Sequence, residues 1–169
     1  EDSVIQFTQD GADMSISFKH QIDSDYTIKT HATLDVDGQT YTSDYSIGYA
    51  TEGTEKEQSI RMKRALSHVM LDVLEQYSGM TQQWGILTGV RPTKLYHKLR
   101  KEGKTPKEIF EILKTDFRLS DAKINLLKEI VARQLLVIPD LDELGKEISI
   151  YIGVPFCPTM CAYCTFPAY

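Results

Sequence analysis

The first fifty residues are rich in Ile, Thr, Tyr and Val, and they alternate apolar with polar at Met14, Ile16 and Phe18. A period of two confines such a segment to a pleated strand, with successive side chains on opposite faces. Four strands are expected, at Val4–Phe7, Met14–His20, Tyr26–Val36 and Thr40–Tyr49. Asp37-Gly38 lies between the last two, where a type I′ hairpin turn needs two residues that tolerate positive φ. The expectation is an antiparallel sheet with a charged, Thr-rich wet face and helices over the other face.

After Glu55 the period becomes helical. Met62, Leu66, Val69, Val73 and Tyr77 recur at spacings of three or four, predicting a helix over 55–77 that Gly79 stops. An apolar stretch with two glycines, Trp84–Val90, follows. Pro92, with Leu95 and Leu99 four apart, predicts a helix over 92–102, because proline's missing N–H costs nothing in the first turn. Further helices are expected at 106–115, opened by Thr105-Pro106, and at 120–136, opened by Ser120 with Lys123 at the place where a capping box carries Glu. Pro139–Gly145 reads as a linker, and Ile148–Val154 as a buried-type strand running into Pro155. The fold class is therefore α+β. Residues 1–138 form one domain (sheet 1–50, helices 55–136), residues 139–146 join it to the next part, and residues 147–169 open that second part.

The chain has 169 residues, 41% hydrophobic and 25% charged, enough for one core or one core plus an extension. Residues 1–60 hold twelve acids against Lys19, Lys29 and Lys56, whereas residues 91–107 hold seven Lys or Arg against Glu102. The net charge of -5 argues against nucleic acid as a partner, since phosphate binding usually shows as a basic excess. Arg91, Lys94, Lys98 and Lys101 fall near one helix face, which reads first as a solvated face. No apolar run is long enough to span a membrane and no signal peptide opens the chain, so a cytoplasmic protein is expected. The opening Glu1 suggests a piece of a longer protein. His20, His31, His68 and His97 are scattered without metal spacing and read as structural; Gly53, Gly85 and Gly89 form no phosphate-cradling loop.

All three cysteines stand within eight residues, at Cys157, Cys161 and Cys164. An odd number so closely packed fits thiolates around a metal better than a disulfide framework. The Cys-x3-Cys-x2-Cys spacing can hold three irons of a [4Fe–4S] cube and leave the fourth iron open. An amine and a carboxylate, such as the methionine end of S-adenosylmethionine, can chelate that open iron, and an electron from the cluster can then break the sulfonium C–S bond. The alternatives are a zinc site with a distant fourth ligand or three incidental thiols, although zinc sites usually show two separated Cys pairs. Tyr163, directly before the last cysteine, is placed to wall a nucleobase.

The run Tyr151–Cys164, with Gly-Val-Pro-Phe before the first cysteine, resembles the radical S-adenosylmethionine (SAM) superfamily signature in its oxygen-independent coproporphyrinogen III oxidase-like form. Trp84–Lys94 and the helical spacer after it resemble the N-terminal domain of the coproporphyrinogen dehydrogenase-like group of Gram-positive bacteria. The resemblance implies a truncated (β/α) barrel whose first strand is 148–154, with the cysteines at the C-terminal end where barrel sites lie. It further implies Cys157, Cys161 and Cys164 as cluster ligands, Tyr151 lining the SAM site and Tyr163 beside the adenine. The implied reaction is oxidative decarboxylation of coproporphyrinogen III to protoporphyrinogen IX, with a flavodoxin or ferredoxin as electron donor; the basic helix could meet the propionates, that donor or nucleic acid. Authentic dehydrogenases of this kind usually carry a fourth cysteine where this chain has Phe166, a pattern shared with a haem-chaperone branch that binds or transfers haem. Alternatively, the N-terminal part is a separate module for a protein or nucleic acid. Most of the barrel lies beyond these residues, so the fragment itself is expected to be inactive.

Overall fold

A computed structural model describes residues 3–7, 14–48, 53–87, 91–143, 148, 150–153, 157, 159 and 161–164, with side chains described from residue 14 onward. It is α+β. Strands β1 (Ser3–Phe7), β2 (Met14–Ile22), β3 (Ile28–Val36) and β4 (Gln39–Ile47) form an antiparallel meander in the order β1-β2-β3-β4. The helices are α1 (Glu55–Ser78), α2 (Pro92–Lys101), α3 (Pro106–Thr115) and α4 (Asp121–Val137). The chain divides into two compact units, Glu1–Val131 and Ala132–Tyr169.

The sheet follows from its alternation. In β3, Ile28, Thr30, Ala32, Leu34 and Val36 are buried, while Lys29, His31, Thr33 and Asp35 face outward or lie half-exposed. Register carries the pattern across the sheet, setting Phe18 opposite Ala32 and Tyr41 opposite Leu34. Asp37 (φ 52°) and Gly38 (φ 73°) turn the β3–β4 hairpin, both at the positive φ that a type I′ turn demands. The β2–β3 connection differs from expectation. Tyr26 is not in a strand; it sits at φ 63° in the Asp23–Thr27 turn, where its N–H donates to Asp23 O at 3.0 Å. A reversal this tight needs one left-handed residue, and the chain uses a tyrosine that propensity assigns to β3.

Helix α1 lies across β3 and β4 and closes the core formed by Phe18, Ala32, Leu34, Val36, Val69 and Val73. Ser43 donates to Asp72 (2.8 Å) and Gln76 to the carbonyl of Thr42 (3.0 Å), which fixes the helix on the sheet. The buried line of α1 is Arg61, Ala65, His68, Val69 and Val73. It is wider than the apolar stripe expected from sequence, because α1 packs on two sides. Met62 and Leu66 are only partly buried, and Tyr77 is 40% exposed with its ring edge-on to Tyr41.

The second side of α1 receives the turn that joins α3 to α4. His68 stacks flat on Tyr45, with centroids 4.0 Å apart, and its Nε2 lies 2.9 Å from the carbonyl oxygen of Asp116. Arg118, at φ 59°, bridges Asp72 and Glu75 on α1. Residues 82–87 brace the same turn: Ile86 N–H donates to Phe117 O (3.0 Å) and Ser120 N–H to Gln83 O (3.1 Å). Around it the helices share a second set of buried apolar side chains, among them Tyr96, Leu99, Ile109, Leu113, Leu119, Ile124 and Leu127.

The helix ends have identifiable chemical causes. Thr54 with Glu57, and Thr105 with Glu108, form reciprocal capping boxes, while Gly79 (φ 66°) ends α1 with its N–H on Glu75 O. Ser120 receives the Lys123 N–H at 3.4 Å, as an N-cap should. No described helix is long and apolar enough to cross a membrane.

The strand expected at 148–154 is not formed by its described residues. Ile148, Ile150, Tyr151 and Ile152 are in no secondary structure and are at least 82% exposed; residues 149 and 154 lie outside the described residues. A strand exists through the N–H and C=O groups of a neighbour, and no described residue pairs with this one.

Candidate metal centre

The cysteines belong to the unit Ala132–Tyr169. None is in a disulfide; Cys157 and Cys161 are exposed and Cys164 is half-buried. The second interval of the motif has a defined local shape: Cys164 N–H donates to Cys161 O at 3.0 Å, closing a turn over Ala162 and Tyr163. A three-residue step of this kind brings two side chains to one side of a turn. The first interval cannot be followed in the same way, because Pro158 and Met160 lie outside the described residues, as does Phe166.

The two tyrosines expected at the SAM site are both open, Tyr151 at 94% and Tyr163 at 91% exposure. The ring of Tyr151 folds over Gly153, where an added Cβ would come within 2.8 Å of it. Tyr163 projects from the tip of the Cys161–Cys164 turn. Neither forms a wall with another described residue.

In donor chemistry the loop fits an iron–sulfur cluster: three free thiols, no competing disulfide, and one interval already turned. Its geometry is not assembled, since among the described residues no three His, Cys, Asp or Glu side chains converge as a metal-holding group. Among the described residues, no surrounding shell orients these ligands or excludes solvent from them. The sequence therefore singles out donors that the structure leaves on an open loop.

The histidines lie elsewhere. His20 and His68 are buried beneath the sheet and helix, and His31 on the wet face bridges Asp44 (2.9 Å) and Thr33 (3.1 Å). Burial, the largest influence, holds the pKa of His68 below the ordinary histidine value, and the Arg118 and Arg64 charges act in the same direction. The Asp116 carbonyl and the Asp72 charge oppose them. His68 thus serves as a neutral N–H donor in a packed joint. The basic face of α2 is as exposed as expected at Arg91, Lys94, Lys98 and Lys101; Arg91 caps the helix start without a side-chain hydrogen bond.

Comparison with known proteins bears on the whole chain. No family model matches it, and no solved structure does. The oxygen-independent coproporphyrinogen-III oxidase-like protein HemZ of Bacillus subtilis (strain 168) is 51% identical to it over 121 residues, 72% of this chain. Those residues amount to 24% of that protein, so the chain spans about a quarter of its relative's length. Over the length compared, the chain is similar to an oxygen-independent coproporphyrinogen-III oxidase-like protein.

Proposed function

We propose that this chain is the N-terminal part of a radical SAM oxidoreductase in which Cys157, Cys161 and Cys164 hold three irons of a [4Fe–4S] cluster. The observation that carries the reading is the Cys-x3-Cys-x2-Cys spacing on a loop of free thiols; kinship with an oxidase-like protein agrees with it. When bound, the cluster supplies a low-potential electron and an open iron for SAM. The chain's part is to present three thiolates from one loop, with Tyr163 at the turn tip beside the adenine and Tyr151 on the approach to the cofactor. A porphyrinogen bearing propionates is the substrate, oxidatively decarboxylated, and a flavodoxin or ferredoxin is the donor. The protein works in the cytoplasm, where thiols stay reduced.

Phe166, where a fourth cysteine usually stands, supports a second reading in which the same cluster serves a haem carrier. One experiment separates the two. The protein spanning the relative's full length is loaded anaerobically with iron and sulfide, then assayed for SAM cleavage with and without coproporphyrinogen III. Protoporphyrinogen formation establishes the oxidase reading. Haem binding without decarboxylation replaces it with the carrier, and failure to assemble a cluster removes both. Strongly salt-dependent RNA binding by the 169-residue chain would instead favour a separate nucleic-acid module.

A further inference from the structure

We propose that the cleft between α2, α3 and α4 is a binding site for a small carboxylate carried on an apolar body about one ring across. The cleft encloses about 350 Å3 and lies wholly within the first unit. That is roughly twice the ~150 Å3 of a cavity that accepts benzene, and near the lower end of the ~300–1,000 Å3 range of ligand pockets. One ring with a short acid arm fills such a space, whereas a whole tetrapyrrole does not. Tyr96 of α2, Phe110 of α3 and Ile124 of α4 give it apolar walls, one from each helix.

The polar members select the charge of the ligand. Pro106, Lys107, Asn125 and Lys128 complete the lining. Among the described residues neither lysine pairs with an acid, although neighbouring charges do: Lys114 is held by Asp121 at 3.0 Å and Lys98 by Glu102 at 3.7 Å. Glu108, which follows Lys107, is turned back onto the N–H and hydroxyl of Thr105. Lys107, Asn125 and Lys128 are the solvent-exposed polar members of the lining, two ammonium groups that attract an anion and an amide that can donate to it. Tyr96 is buried, its hydroxyl has no hydrogen-bond partner among the described residues, and burial raises its pKa so that it stays a neutral donor. Phe110 is steadied from one side by the Lys114 ammonium, 5.7 Å from the ring centroid. A bare inorganic anion would leave the apolar walls unused, and a neutral hydrocarbon would leave both ammonium groups unpaired.

This chemistry has two sources, a free monocyclic acid or a propionate-bearing ring at the rim of a larger tetrapyrrole. The site does not depend on the cluster. The test is to titrate the full 169-residue chain, labelled with nitrogen-15, with 3-phenylpropanoate, its neutral amide and coproporphyrin III. The expected result is saturable shift changes centred on residues 96, 107, 110, 124, 125 and 128, with the amide at least about ten-fold weaker. Lys107→Met and Lys128→Met, which keep the apolar stems, should each weaken the acid about five-fold or more while leaving the rest of the spectrum in place. Tighter binding of coproporphyrin III at the same residues assigns the tetrapyrrole rim; equal or weaker binding assigns the free acid. No saturation by either acid at about 10 mM, equal binding of the amide, or indifference to both lysine substitutions overturns the site.

Discussion

Gly85 is the residue whose replacement the structure resists most directly. It sits at φ 55°, and an added Cβ would come to 2.0 Å from Phe117 O and 2.5 Å from two atoms of Arg118. No rotamer relieves this, because the atoms it meets are backbone. Left-handed φ costs an alanine roughly 1–2 kcal/mol, and forced displacement of a packed neighbour typically adds about 1–3 kcal/mol. Gly85→Ala should therefore lower unfolding free energy by about 2–5 kcal/mol in urea titration. Gly85→Asn discriminates the causes: asparagine tolerates the φ but not the contact, so near-native stability would leave backbone strain as the whole effect. His68 gives a pH prediction in the same joint. Its folded pKa lies below the unfolded value, so the folded state favours the neutral ring. That contribution is complete above about pH 6.5 and is lost as pH falls from there through the folded pKa. Stability measured between pH 7 and 5 should fall more steeply for the wild type than for His68→Gln; parallel curves would mean that His68 titrates as freely as in the unfolded chain.

At the scale of elements, the capping boxes hold the ends of helices that are short for their job. Helix α3 has ten residues, too few for an isolated helix to persist in water. Thr105→Ala removes the oxygen that accepts the Glu108 N–H and should cost about 1 kcal/mol. In the same box the Thr105 N–H, followed by its hydroxyl, holds the Glu108 carboxyl below the ordinary glutamate pKa. The benefit is present above about pH 4.5 and fades as pH falls through the lowered value. Glu108→Gln should flatten that acid-side loss, well apart from the histidine window; an unchanged acid slope would show that the box does not form in solution. Both boxes were open to reading, since Thr54-x-x-Glu57 and Thr105-x-x-Glu108 are printed in the chain. Strands, helices and the Asp37-Gly38 turn were legible because period and turn chemistry are local. Tyr26 and Arg118 in left-handed backbone were not, as both conformations are imposed by reversals and packing partners up to fifty residues away. The α2–α4 cleft was hidden for the same reason: its lining is spread over residues 96–128 and only folding assembles it.

For the molecule as a whole, the information about chemistry and the information about packing lie in different units. The first unit has two sets of buried side chains and tight joints, whereas the cysteines stand in the second on residues that are mostly exposed. The spacing of thiols is a property of a short loop and can be read from fourteen residues. Their convergence depends on elements that hold the loop from outside, and no described residue provides them. Ligand affinity should follow convergence rather than spacing, because an unsupported loop must be ordered by the metal itself. Two measurements check this. In the native 169-residue chain, an alkylating reagent should modify Cys157 and Cys161 about as fast as a free thiol and Cys164 more slowly, as its partial burial requires. Anaerobic loading of the same chain should give well under one cluster per molecule, while the protein spanning the relative's full length fills its site and then protects all three thiols. A full, stable cluster on the shorter chain would show that the loop organises its own site without the rest of a longer protein.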